Sequence, residues 1–226
     1  MIEAIVFDLD GVLIDSEGIW TEARRDLVRS RGGRWLPDAQ TAMMGMSSPE
    51  WSRYMRDTLG VDMAPADISV AVVDRMERLY RRHLPLLPGA RESVLSLAGR
   101  WPLALASSAN RPLIDLVLDL ARLQDSFTTK VSSEEVARGK PAPDVYLEAA
   151  RRLGVDPAAC AAVEDSTNGM RAAAAAGMSL IALPNRDFPP DQDAVGLADA
   201  VLTSLDELRP PLVSAMEGSH RVGDDP

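Results

Sequence analysis

Short apolar runs that stop abruptly at polar residues recur along the chain, and helical periodicity fills the intervals between them. Ala4-Ile5-Val6-Phe7 ends in acid and glycine, as a strand buried on both faces does. Leu103 to Ala106 leads into two serines, Ala161-Ala162-Val163 into two acids, and Ser179 to Leu183 stops at Pro184. Phe127 to Val131 and Ala200 to Leu202 carry the same signal more weakly. Apolar residues at helical spacing predict helices near 91–100, 111–122, 143–153 and 167–176. This alternation predicts an α/β fold, a doubly wound parallel sheet covered by helices on both faces. Ligands of such sheets bind beyond the carboxyl ends of the strands. Three of the runs end there in Asp, Ser or Glu-Asp.

The stretch 17–86 breaks the rhythm, with helical pieces around 17–31, 49–59 and 66–83 and no strand pattern. Ser48 reads as a helix cap with Pro49 at the first helical position, and Pro85 and Pro88-Gly89 read as a return hinge. The expected organisation is a core formed by 1–16 and 87–210 with an α-helical domain, 17–86, inserted after the first strand. The segment 211–226, ending GSHRVGDDP, is expected to be a poorly ordered tail. The sequence has no internal repeat and no glycine-rich nucleotide-binding loop.

Composition narrows the function. With 226 residues, 46% of them hydrophobic, the chain can bury one core plus a small second domain. A formal net charge of −10 supplies no field for nucleic acid or an anionic membrane, so an anionic ligand must be held by local cations. The single cysteine, Cys160, excludes an internal disulfide framework and suits a reducing compartment. Two histidines, His83 and His220, leave little for a zinc site or a Ser-His-Asp triad. The N-terminal MIEAIVFDLD lacks the basic and long apolar regions of a secretion signal, and no apolar run is long enough to span a bilayer. These features predict a cytoplasmic protein, monomer or homodimer, without nucleic-acid or membrane partners.

The chemistry-bearing residues collect at the ends of the apolar runs. Asp8 and Asp10 flank Leu9, and residues two apart in a strand point the same way, so both carboxylates should face one cleft. Neighbouring acids repel, and a metal ion or a raised pKa relieves them. Gly11 lets the backbone approach a ligand closely. Glu164 and Asp165 end a later run at the same edge. With Asp8 and Asp10 they form an all-oxygen set that selects magnesium over softer metals, while Asp165 or Ser166 can also cap the next helix. Lys140, stiffened by its setting Gly139-Lys140-Pro141-Ala142-Pro143-Asp144, can balance these acids and hold a phosphate oxygen. Ser107 and Ser108 offer donors to the same anion. Asp74 to His83 reads as a solvated helix face, Ala172 to Ala176 as a tightly packed helix, and Met43, Met44 and Met46 as core filler. Trp20 fits a cleft wall and interior packing equally well.

In this order, Asp8-Leu9-Asp10-Gly11-Val12, Ser107, Lys140-Pro141-Ala142-Pro143-Asp144 and Glu164-Asp165-Ser166 with Gly169 resemble the four motifs of the haloacid dehalogenase-like superfamily. The helical insert resembles that superfamily's first cap type, as in the beta-phosphoglucomutase-like branch, and the resemblance runs to about Leu208. It implies a phosphatase acting on a small phosphorylated metabolite. Asp8 would be the nucleophile and Asp10 the general acid and base. Magnesium would be held by the Asp8 side chain, the Asp10 carbonyl and Asp165, with Glu164 acting through water or from behind. Ser107 and Lys140 would grip the phosphate oxygens. Two rivals share part of this pattern. A phospho-accepting receiver-type signalling domain needs neither the insert nor a second acid two residues after the nucleophile. Sugar phosphomutases of the same branch place basic groups where this chain has Trp20 and, in Gly45-Met46-Ser47-Ser48, Ser48, which points to hydrolysis.

Overall fold

The structure, a computed structural model, describes residues 1–44 and 46–216. Six strands form one parallel sheet: β1 (Ala4–Phe7), β2 (Leu103–Ser107), β3 (Thr129–Ser132), β4 (Cys160–Glu164), β5 (Ser179–Ala182) and β6 (Ala200–Val201), in the order β3-β2-β1-β4-β5-β6. Period-two alternation divides the strand residues between two apolar layers. Ile5, Phe7, Leu103, Leu105, Val163 and Ile181 face one of them. Ala4, Val6, Ala104, Ala106, Ala162 and Ala182 face the other. The small residues of the second face meet Ala149 and Ala150 of α7 (Asp144–Leu153) and Ala172 and Ala173 of α8 (Thr167–Ala175). Alanine on both sides lets helix and sheet approach closely; of the stretch Ala172 to Ala176, expected to be tightly packed, Ala172, Ala173 and Ala176 are buried, whereas Ala175 is exposed.

Between β1 and β2 the chain forms α1 (Glu17–Ser30), α2 (Ala39–Met43), α3 (Ser48–Asp57) and α4 (Pro65–Arg82), followed by α5 (Ala90–Ala98). The two connecting segments run side by side: Leu87 N–H donates to Leu13 O at 2.9 Å and Asp15 N–H to Pro85 O at 2.8 Å. The apolar interior of the insert continues into the first sheet layer as one cluster, with Trp51, Met55, Val72 and Met76 joined to Phe7 and Leu105. On α4, Ile68, Val72, Met76 and Tyr80 are buried at i, i+4 spacing, which turns Arg78, Arg81 and Arg82 outward. The helix α6 (Arg111–Ala121) also packs on the first layer.

Two local expectations are corrected. Helix α3 is flanked by Ser47 rather than capped by Ser48: the Ser47 N–H and hydroxyl both donate to Glu50 Oε2, at 2.7 and 2.6 Å. Residues 211–216, expected in a poorly ordered tail, belong to or follow α10 (Pro210–Ala215), and Val213 and Met216 are buried in the core. Apolar residues at positions 212, 213 and 216 give that short helix a face to bury; 217–226 lie outside the described residues. Among the described residues no helix is long and apolar enough to cross a membrane.

Candidate active site

The parallel register sets the polar ends of three strands level. Phe7 pairs with Leu105 and Val163, so Asp8, Ser107 and Glu164 follow at one edge. The order reverses here, with β1 lying between β2 and β4, and such switch points open a crevice. Strand β1 stops at Phe7, although Asp8 N–H still donates to Val163 O at 3.0 Å. The chain then turns: Leu13 N–H reaches Leu9 O at 2.8 Å, and Gly11 N–H reaches Ile14 O at 2.8 Å. Asp8 and Asp10 therefore leave a turn rather than a strand, and both still line the cleft. Gly11 holds φ 76°, and a Cβ there would lie 1.9 Å from Asp165 Oδ2, so backbone and carboxylate pack where only glycine fits.

Lys140 is the hub. Its Nζ donates to Asp8 Oδ1 at 2.8 Å, Glu164 Oε1 at 2.6 Å and Ala106 O at 3.1 Å, with the side chain 3% exposed. Burial pulls its pKa down, but the carboxylates of Asp8 and Glu164 outweigh that and raise it. Glu164 is saturated. Oε1 accepts from Lys140 and from Tyr146 Oη at 2.7 Å, and Oε2 from Asp165 N–H, Ser166 N–H and Ser166 Oγ at 3.0, 3.2 and 3.1 Å. A Cβ on Gly169 would strike this carboxylate at 1.8 Å, which accounts for the glycine in that motif. Five donors thus converge on the two oxygens of Glu164. It organises Lys140, a place behind the cluster like the one the resemblance implies for it.

Asp165 is the opposite case. It is 3% exposed, its Oδ1 has no hydrogen-bond partner, and Oδ2 accepts only a 3.5 Å contact from Asn185 Nδ2. Oxygens of Asp8, Glu164 and Asp165 lie within 4.8 Å of one another. Three carboxylates against one ammonium leave an excess of negative charge. Burial, then the charges of Glu164 and Asp8, push the Asp165 carboxyl well up, and burial raises Asp8 to about 8. An orphaned buried oxygen in a net-negative, all-oxygen cluster fits a hard divalent cation.

Asp10 faces the insert. Its Oδ1 accepts from Ser16 Oγ and from Trp20 Nε1 at 3.1 Å. Trp20 thus does both things the sequence allowed: it packs in the interior at 6% exposure and presents its N–H to the cleft. Ser107 is fully buried and its Oγ accepts from Ala109 N–H at 3.0 Å, while Ser108 lines the cleft with an unpartnered hydroxyl. Met44 and Met46 line the cleft as well, whereas Met43 is also core. None of the arginines of α4 reaches it.

Sequence reasoning missed Tyr146, Asn185, Glu17, Gln40 and Arg24. Tyr146 sits on the apolar face of α7 and Asn185 follows β5 without a distinguishing pattern. For Arg24 a signal exists: it occupies the buried stripe of α1 with Trp20, Ala23, Leu27 and Val28, and a cation on an apolar stripe calls for an explanation.

Comparison with known proteins follows the same lines. The family model of haloacid dehalogenase-like hydrolases matches residues 2–177. The chain is 38% identical over 211 residues to hexitol phosphatase B of Escherichia coli K12, covering 91% of this chain and 93% of that one. CbbY from Rhodobacter sphaeroides, solved in complex with phosphate, superposes with a TM-score of 0.81 at 30% identity, covering 92% of this chain and 96% of that one. A beta-phosphoglucomutase from Clostridium difficile superposes with a TM-score of 0.82 at 23% identity, over 95% and 96% of the two chains, a likeness of fold alone.

Proposed function

The chain belongs to the haloacid dehalogenase-like hydrolases and is a phosphatase, and from that premise we propose that it hydrolyses a sugar or polyol phosphate, with magnesium, through a phosphate ester of Asp8. The observation that carries this reading is the pairing of Asp8 Oδ1 with Lys140 Nζ at 2.8 Å beside the unpartnered Asp165 Oδ1. Lys140 favours the ionised form of the nucleophile. Asp8 attacks phosphorus while the bond to the leaving oxygen breaks, and Asp10 supplies that oxygen with a proton. Asp10 then takes a proton from the water that attacks the aspartyl phosphate, which releases orthophosphate and restores Asp8. Lys140 and the Ser107–Ser108 turn hold the equatorial oxygens where charge accumulates. Asp8 and Asp165, with the Asp10 carbonyl, would hold magnesium, which shields the anionic nucleophile from the phosphate. Since Ser16 precedes α1 and Trp20 lies within it, the hydrogen bonds on Asp10 couple its orientation to the position of the insert.

The 38% identity to a hexitol phosphatase over 91% of the chain supports the substrate class. Trp20 and Ser48, where the resembling mutases carry basic groups, favour water over a second sugar hydroxyl as acceptor. Gly45, in the same stretch, lies outside the described residues. A panel of phosphate monoesters, with magnesium and with chelator, tests the reading. Phosphate release is expected only with the metal, and Asp8→Asn should abolish both turnover and trapping of label on the protein. More than trace activity in Asp8→Asn refutes the covalent route. With beta-glucose 1-phosphate and a trace of the 1,6-bisphosphate, near-stoichiometric glucose 6-phosphate would establish a mutase instead.

A further inference from the structure

The wall of the cleft contributed by the insert holds a buried cation that phosphoryl transfer does not use. The Arg24 guanidinium carbon lies 4.5 Å from the ring centroid of Trp20 and 5.2 Å from that of Trp51. The residue is 5% exposed and lines the cleft. Its Nη1 donates to Gln40 Oε1 at 3.4 Å, and its Nε is buried without an acceptor. Gln40 passes the connection on, donating through Nε2 to Glu17 Oε2, and Glu17 lines the same cleft. A buried donor without an acceptor costs about 1–3 kcal/mol, and the residue that carries it lines the cleft.

We propose that Arg24, together with Glu17 positioned through Gln40, is the subsite for adjacent hydroxyl groups of the leaving group, so that the alcohol half of the substrate is a neutral polyol. The inference rests on the phosphatase reading and deepens it. A hydroxyl both donates and accepts, so a pair of neighbouring hydroxyls matches one free donor on Arg24 and the carboxylate of Glu17. Local charge argues against a second anion at this place. Glu17 and Asp10 already balance Arg24 electrostatically, and a further phosphate or carboxylate would meet both of them. Burial lowers the Arg24 pKa only to about 10, so it remains a cation at neutral pH. The faces of Trp20 and Trp51 keep the guanidinium plane fixed, which suits directional hydrogen bonding.

The test is kcat/KM on sorbitol 6-phosphate, p-nitrophenyl phosphate and fructose 1,6-bisphosphate for the native enzyme, Arg24→Met and Arg24→Lys. Arg24→Met should lower the ratio of sorbitol phosphate to nitrophenyl phosphate roughly 10- to 100-fold, the worth of one charged hydrogen bond. Arg24→Lys loses the planar fork and should not restore the ratio; it carries the test alone if Arg24→Met does not fold. An unchanged ratio, or equal losses on both esters, overturns the subsite. A native preference for the bisphosphate that disappears in Arg24→Met overturns it in favour of an anion site. Binding separates this proposal from the hydrolytic one. In an Asp8→Asn background, calorimetric titration with sorbitol 6-phosphate should show Kd raised tenfold or more by Arg24→Met. An unchanged Kd sinks the subsite even where hydrolysis is magnesium-dependent. Arg24-dependent binding without any hydrolysis sinks only the phosphatase reading.

Discussion

Asp165→Asn should stabilise the metal-free protein while destroying its response to magnesium. The substitution is isosteric, so the contact that excludes a side chain at Gly11 is preserved. It also spares the helix start, because α8 is capped by Ser166, whose Oγ accepts from Gly169 N–H at 3.2 Å. Among the described residues the only bond at risk is the 3.5 Å contact from Asn185, worth at most a few tenths of a kcal/mol at that length. What is removed is a buried like charge. Two carboxylates whose oxygens lie within 4.8 Å repel by about 3.5 kcal/mol at an effective dielectric of ~20. Asp165 meets two such neighbours, Asp8 and Glu164, and one opposing cation, Lys140, so one uncompensated interaction of about 3.5 kcal/mol remains. Because the folded-state pKa of Asp165 is raised, the group takes up a proton at low pH and escapes the cost. The penalty grows as pH rises, and so must the benefit of Asn. At pH 9 in excess chelator, thermal unfolding of Asp165→Asn should exceed native by about 7–14 °C for a domain of this size, shrinking toward zero only as pH falls below about 4, the usual carboxylate value. Saturating magnesium should reverse the order, since only the native site gains from the cation. A lower melting temperature for Asp165→Asn at pH 9 in chelator would show that Asp165 is a structural hydrogen-bond acceptor and refute the electrostatic account.

Other outcomes follow from the same geometry. Asp8, raised to about 8 by burial, binds its proton more tightly when folded, so metal-free stability should be highest at acid pH and fall as pH rises from about 4 to 8; urea unfolding in chelator across that range checks it, and a rise would contradict it. Glu164→Gln places an amide donor against either Lys140 and Tyr146 or three donors at the start of α8. It should cost about 3–5 kcal/mol in urea unfolding, as breaking a buried ion pair does, and a loss under 1 kcal/mol would mean that the hub tolerates rearrangement. Asp10→Asn should slow turnover by roughly 10²- to 10⁴-fold, the usual worth of a general acid-base, with little change in stability; activity within threefold of native would remove Asp10 from the chemistry.

The strands and long helices were readable from sequence because the forces that place them are local and periodic. Apolar runs ending at Asp8, Ser107 and Glu164 became β1, β2 and β4, and α6, α7 and α8 start and stop within two residues of their apolar patterns. The short helices α2, α9 (Gln192–Val195) and α10 had too few turns to show a period, and they exist through tertiary packing of residues such as Ala39, Ala194 and Val213. The motif residues could be named, but not their division of labour. Lys140 lies 132 positions from Asp8 and 24 from Glu164. Only the parallel register decides that Glu164 accepts from five neighbouring donors while adjacent Asp165 keeps one oxygen free. The same holds for Ser107 and Ser108, whose hydroxyls are assigned by the turn after β2. Arg24 was visible as a charge on an apolar stripe, yet its meaning waited on Trp51 and Gln40, brought from α3 and α2. Side-chain type is written in the sequence, whereas the partner that satisfies or orphans each buried polar atom comes from distant chain and is decided only by the packed fold.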